Sequence, residues 1–84
     1  MTLDELRGDL HAILAAEEQP NIDWPMVEVM CLRAIDRLNS EGQPEFPYEI
    51  VYHFLDDADI RQRDASYAEV QRERLMTWLR AANS

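Results

Sequence analysis

The sequence predicts an all-α, compact single domain built like a four-helix bundle, with no β-sheet. Apolar residues recur at spacings of three and four in four segments of the 84-residue chain, and no segment alternates apolar and polar residues over a useful length. Capping residues and prolines stand at the ends of these segments. The length is that of one domain, so residues 1–84 are expected to fold as a unit.

The first helix is predicted over roughly residues 3–18. Thr2 and Glu5 have the spacing of a capping box, in which each side chain accepts a hydrogen bond from the backbone N–H of the other residue. One face of the segment is apolar, at Leu3, Leu6, Leu10, Ile13 and Leu14. Pro20 ends the segment, because proline cannot continue a helix.

The second helix is predicted over roughly residues 24–39 and is the most apolar segment of the chain. Asp23 is a suitable N-cap, Pro25 is tolerated in the first turn, and Gly42 is the expected left-handed residue after the helix. The buried stripe is predicted at Trp24, Val27, Met30, Cys31, Ala34, Ile35 and Leu38. Three further apolar residues lie off that stripe, at Met26, Val29 and Leu32.

The third helix is predicted over roughly residues 47–58 and the fourth over roughly residues 64–82. Pro47 suits the first turn of a helix, and Asp64 is a suitable N-cap. The inner faces are predicted at Tyr48, Ile50, Val51, Phe54, Leu55 and Ala58 in the third helix, and at Tyr67, Ala68, Gln71, Leu75, Trp78, Leu79 and Ala82 in the fourth. Residues 56–64 form a polar joint, whose pattern fits either a continued helical turn or a loop.

The charge balance limits the classes of partner. The formal net charge is −9, with 17 acidic and 8 basic residues, and every base is an arginine. Such acidity argues against nucleic acid and anionic membranes, which need cationic side chains, and favours a basic protein partner. Residues 1–59 carry a net charge of −11 and residues 60–84 carry +2, which we interpret as salt bridges between the last helix and its acidic neighbours.

The same composition predicts a compartment. There is no signal-peptide pattern after Met1 and no apolar run of membrane-spanning length. The single cysteine, Cys31, excludes an intramolecular disulfide. The protein is therefore predicted to be cytoplasmic, and the absence of lysine, which is typical of GC-rich coding, predicts a bacterial source.

No catalytic or cofactor motif is present, so the protein is predicted not to be an enzyme and to need no cofactor. Cys31 lies on the inner stripe of the second helix, and a buried cysteine without an activating histidine behaves as a small hydrophobe. With two glycines, the chain contains no phosphate-binding loop.

His53 is a candidate for a metal or ligand site. Glu49, Asp56 and Asp57 stand three or four residues from it, so one outer face of the third helix would carry all four. A solvated face of ordinary charged residues is the alternative interpretation. The acidic joint, residues 56–64, also has the oxygen ligands that cations use, but it fails the EF-hand pattern.

The sequence favours a protein–protein interaction or regulatory module. Met26, Val29 and Leu32, together with Tyr52 on the outer side of the third helix, are predicted to form an exposed interaction patch. A symmetric homodimer is the simplest form of such an association. Two alternatives remain open: an immunity- or inhibitor-type protein whose acidic face masks a basic site, and a metal- or ligand-binding domain that uses His53 and its carboxylates.

Overall fold

The computed structural model describes residues 1–42 and 44–82, apart from the side chain of Ala82, so the inner-face prediction for Ala82 lies outside it. Over these residues the chain forms no strand and five α-helices, which are α1 (Leu3–Glu17), α2 (Trp24–Ser40), α3 (Tyr48–Asp56), α4 (Ala58–Arg63) and α5 (Ala65–Ala82). The all-α prediction is confirmed. The count of four helices is wrong by one, because part of the polar joint is itself a helix.

The helix ends follow the local sequence. Thr2 and Glu5 form the predicted capping box: the Thr2 hydroxyl accepts from the Glu5 N–H at 3.1 Å, and the Glu5 carboxylate accepts from the Thr2 N–H at 2.9 Å. Asp23 caps α2 by accepting from the N–H of Met26 at 3.2 Å. Gly42 has a φ of 85°, which confirms the predicted left-handed residue.

The joint between α3 and α5 is a continued helical turn with one break. Asp57, the residue between α3 and α4, leaves helical geometry with φ −102° and ψ 21°. Its backbone still continues the hydrogen-bond pattern, since the Asp57 N–H donates to His53 and the Asp57 carbonyl accepts from Arg61. Asp64 then ends α4, and its carboxylate accepts from the N–H of Tyr67 at 3.0 Å in the first turn of α5.

The core lies between helices that pack around α2. α2 contacts α1, α3 and α4, while α5 packs against α3 and α4. The apolar side chains that are almost completely buried are Leu6, Leu10, Ile13, Val27, Cys31, Ala34, Leu38, Val51, Phe54, Leu55, Ala68, Leu75 and Leu79. The radius of gyration is 12.1 Å, close to the value of about 12 Å expected for a compact chain of this length.

Candidate functional site

The outer face of α2 carries three large apolar side chains that the fold leaves in solvent. Met26 and Val29 are each 46% exposed and Leu32 is 65% exposed, which confirms the exposure predicted for them. We call these three residues the apolar ridge. Because they are three residues apart, they wind slowly around α2 and extend about 9 Å along its axis.

The ridge is exposed because the helices that contact α2 cover its other side. Val27, Cys31, Ala34 and Leu38 face the core and are almost completely buried. At about 100° per residue, Leu32 lies about 100° around the helix from Cys31, beyond the reach of the helices that cover the inner stripe.

A groove runs beside the ridge, between α2 and the corner where α3 meets α4. Its volume is about 190 Å³. Buried Cys31, Leu55 and Ala58 form its floor, and exposed Leu32 forms part of its wall. Its remaining lining residues are all acidic: Glu28, Asp56 and Asp59. We call this the acidic groove.

The carboxylates of the acidic groove are largely uncompensated. Within residues 1–42 and 44–82, neither Glu28 nor Asp56 has an ion-pair partner. Asp59 lies 3.6 Å from Arg63 across one turn of α4, and both side chains are mostly exposed. Such exposed pairs contribute little, so the groove keeps a negative potential above an apolar floor.

The thiol at the floor of the groove is chemically quiet. Burial raises the pKa of Cys31 to about 11, although the nearby Arg61 guanidinium acts in the opposite direction and Glu28 adds to the rise. A thiol with this pKa is protonated at neutral pH, and the thiolate is the reactive form. The geometry therefore supports the interpretation of Cys31 as a packing residue.

The other flank of α2 has a different electrostatic character. There a groove of about 240 Å³ lies between α1 and α2. Arg33 and Arg37 line it, together with Asp9. Arg37 lies 2.9 Å from Glu5, 3.3 Å from Asp9 and 3.1 Å from Glu41. Arginine thus compensates the acids on this flank, whereas in the acidic groove only Asp59 has an arginine partner, the exposed Arg63.

Tyr52 does not belong to the exposed patch, and the prediction that placed it there is wrong. It is only 8% exposed. Its ring stacks on Tyr48 at 4.3 Å between centroids and on Phe46 at 6.1 Å, and its hydroxyl lies 3.3 Å from the side-chain oxygen of Asn39. The chain before α3 places Phe46 against this side of the helix. Tyr48, predicted on the inner face, is instead 59% exposed.

The four residues proposed around His53 do not form one cluster. His53 is exposed and, with Glu49, lines a groove of about 380 Å³ between α3 and α5. Asp57 is directed to α5, where its carboxylate accepts from the Tyr67 hydroxyl at 2.7 Å and from Gln71 Nε2 at 2.9 Å. Across residues 1–42 and 44–82, no three His, Cys, Asp or Glu side chains are grouped so that they could hold a metal ion. The same finding applies to the carboxylates of residues 56–64.

A buried polar cluster lies directly beneath the acidic groove and was not predicted. Arg61 of α4 is 1% exposed and Glu17 of α1 is 3% exposed. Arg61 Nε and Nη2 donate to the two oxygens of Glu17 at 3.0 and 2.9 Å, and Nη1 donates to Gln71 Oε1 at 2.9 Å. Nη1 also donates to the Phe54 carbonyl. Nη2 lies 3.9 Å from the Cys31 sulfur, so the cluster directly contacts the floor of the groove.

The cluster connects helices that are far apart in sequence. The guanidinium of Arg61 also lies over the Phe54 ring, 3.8 Å from its centroid. Arg72 of α5 makes a second contact to Glu17 at 3.3 Å. Sequence reasoning missed the cluster because Glu17 lies at the end of the first predicted helix and Arg61 lies within the polar joint. No local signal separates these two from the solvated charges around them.

Comparison with known proteins gives no assignment: the chain matches no protein-family model, no curated protein and no solved structure. Within the described part of the chain, no helix has both the length and the apolar character needed to cross a bilayer.

Proposed function

We propose that this protein is an interaction module that binds another protein through the outer face of α2. The observation that carries the proposal is the apolar ridge. Met26, Val29 and Leu32 follow one another at helical spacing and remain in solvent although the opposite face of the same helix is completely packed. Covering such side chains on association stabilises a complex by up to about 1.5–3 kcal/mol each.

An inhibitor- or immunity-type role is the more specific form of this proposal. It is supported by the acidic groove beside the ridge, in which Glu28 and Asp56 have no compensating base among residues 1–42 and 44–82. An apolar contact flanked by negative charge suits a partner whose binding or active site is basic. A protein of this kind regulates its partner by covering that site.

Self-association as a symmetric dimer is supported less well. A twofold contact places the same surface of both copies together. The acidic grooves would then face related acidic surfaces, and like charges across an interface oppose binding. The apolar ridge without the groove could still pair with its own copy. Measuring the mass in solution therefore distinguishes a homodimer from a module that binds a different protein.

The proposal is tested by placing charge on the ridge. Val29→Glu combined with Leu32→Glu should abolish retention of the native partner in affinity purification from the native cell extract. Both side chains are exposed, so the melting temperature should stay close to that of the parent, as for most surface substitutions. The matched control is Val70→Glu with Thr77→Glu, which adds two charges to the exposed face of α5 and should retain the partner.

Two results would contradict the proposal. The first is a partner that the ridge variant still retains. The second is unfolding of that variant while the α5 control remains folded, which would show that Val29 and Leu32 are part of the core. Light scattering measures the mass of the parent and of the ridge variant in solution. If the parent is a dimer and the ridge variant is a monomer, the partner is a second copy of this chain.

A further inference from the structure

The acidic groove and the apolar ridge together define the chemistry of the segment they would bind. We infer that this surface takes a basic amphipathic helix, which inserts an apolar side chain into the groove beside Leu32 and places lysine or arginine against Glu28, Asp56 and Asp59. The inference rests on the proposed function and specifies the partner segment.

The partner segment must satisfy its own backbone hydrogen bonds. The ridge and groove are formed by α2, α3 and α4, and no strand edge is present in residues 1–42 or 44–82. The groove floor consists of Cys31, Leu55 and Ala58, which offer no strong side-chain acceptor for peptide N–H groups. An extended segment would leave backbone groups without partners there, at a cost in free energy. A helix satisfies these groups internally, which leaves the rim carboxylates free to pair with basic side chains.

The apolar side of the segment follows from the shape of the surface. Leu32 belongs to both the ridge and the groove wall, so one apolar contact can continue from Met26 across Val29 into the groove. Ridge residues that are three apart on α2 pack against residues at helical spacing on a second helix. The partner should therefore carry apolar residues three and four apart, with one of them long enough to reach the groove floor.

The charge of the segment follows from the groove rim. Glu28 lies one turn before Leu32 on α2, while Asp56 and Asp59 lie on the opposite side at the α3–α4 corner. Negative charge thus borders the apolar anchor on both sides. The groove on the other flank of α2 is lined by charges of both signs, since it contains Arg33 and Arg37 as well as Asp9. Basic side chains should therefore flank the apolar anchor on both the α2 side and the α3–α4 side of the groove.

A defined peptide tests the inference without knowledge of the native partner. The probe is a labelled, terminally blocked helix of about 18 residues, long enough to be helical, with leucine along one face and lysine elsewhere. Fluorescence anisotropy with the full chain should show saturable binding. A peptide with glutamate in place of every lysine should not bind, and one with the same composition in scrambled order should bind much more weakly.

Two matched triple variants separate the groove from the overall charge of the protein. Glu28→Gln, Asp56→Asn and Asp59→Asn together should weaken binding of the lysine peptide about tenfold or more. Glu18→Gln, Glu69→Gln and Glu73→Gln change the net charge equally at exposed positions elsewhere and should change the affinity far less. Leu32→Ser should also weaken binding, and the loss should persist at high salt because it removes an apolar contact.

The outcomes that overturn the inference differ from those that overturn the proposed function. Equal losses in the two triple variants would show that only bulk charge attracts the peptide. No saturable binding, or binding of the glutamate peptide, would exclude a basic helix as the occupant even where the ridge variant loses its native partner. A parent that is a dimer through the groove would identify a second copy as the occupant and equally overturn the inference.

Discussion

Arg37 and Arg61 contact α1 near its opposite ends, and the two guanidinium groups differ in their exposure to solvent. Arg37 reaches Glu5 and Asp9 in the first half of the helix, and its side chain is 32% exposed. Arg61 reaches Glu17 in the last turn, and both of these side chains are fully buried. Each guanidinium contacts more than one polar partner. The two arginines therefore differ in burial and in their partners: Arg37 contacts three carboxylates, and Arg61 contacts one carboxylate together with neutral acceptors.

The difference shows where the fold depends on a single interaction. Around Arg37, water can replace any lost partner, so each pair contributes little. The pKa of Glu5 is lowered mainly by its hydrogen bonds with Thr2 and next by its hydrogen bond with Arg37. Around Arg61, neither charge reaches water, and the cost of desolvating both is offset only while the pair is complete. Loss of one partner in the buried cluster should therefore destabilise the fold strongly, whereas loss of one partner around Arg37 should destabilise it little.

The largest expected effect is that of Arg61→Met. It leaves the Glu17 carboxylate buried with Arg72 as its one remaining charged contact. Loss of one member of a buried pair costs about 3–5 kcal/mol, a large share of the stability of a chain this small. Urea denaturation followed by circular dichroism measures the loss. The control is Arg63→Met, which removes an arginine on the exposed side of the same helix, α4. Equal stability of the two variants would contradict the claim that burial makes the loss of Arg61 costly.

A second, smaller effect is expected when both charges are removed. Glu17→Met with Arg61→Met eliminates the unpaired carboxylate, and apolar replacement of a buried pair is often close to neutral. The double variant should therefore recover much of the stability lost by Arg61→Met alone. A double-mutant cycle, with urea denaturation of the parent, both single variants and the double variant, measures the coupling free energy between Glu17 and Arg61. Additive losses would show that Glu17 and Arg61 stabilise the fold independently.

A third effect, smaller again, is expected at the surface. Arg37→Met removes contacts with Glu5, Asp9 and Glu41, all of which remain accessible to water. The loss in the urea midpoint should be far below that of Arg61→Met, and it should disappear at about 1 M salt, where the screening length is only about 3 Å. The loss for Arg61→Met should persist at the same salt concentration. A salt-resistant loss for Arg37→Met would show that its hydrogen bonds to these carboxylates stabilise the fold even where salt screens the charges.

These comparisons also show what the sequence can predict. The capping box of Thr2 and Glu5 and the buried stripe of α2 depend on residues within a few turns, so helical geometry alone predicts them. The same geometry predicted the exposure of Val29 and Leu32, because no neighbouring helix was expected to cover them. All of these predictions concern one helix at a time.

The missed features depend on how separate segments meet. Glu17 and Arg61 are 44 residues apart in sequence, and no pattern in either segment marks the pair. In an isolated α3 helix Tyr52 would lie on the outer face, but the chain before α3 brings Phe46 against that face. The far wall of the acidic groove, with Asp56 and Asp59, likewise exists only because α3 and α4 meet α2.

At alkaline pH the buried Cys31 should make the stability of the fold depend on pH, whereas the exposed Arg37 should not. Burial raises the pKa of Cys31 to about 11, so the unfolded chain loses this proton at lower pH than the folded chain does. The contribution to stability is complete below the ordinary pKa of a thiol, about 8.5, and is lost as pH rises toward 11. Arg37 keeps its charge throughout this range and adds no such dependence.

Cys31→Ala should therefore reduce the fall in stability between about pH 8.5 and pH 11 without removing it. Burial raises the pKa of Tyr52, and the hydrogen bond to Asp57 raises that of Tyr67, so both tyrosines add to the fall in the same direction near the top of the range. Urea midpoints at several pH values measure the two slopes. Because alanine also leaves a small cavity, the comparison uses the change with pH within each protein. Parallel curves for the parent and Cys31→Ala would show that the thiol ionises equally in the folded and unfolded chains, and that the floor of the acidic groove is open to water.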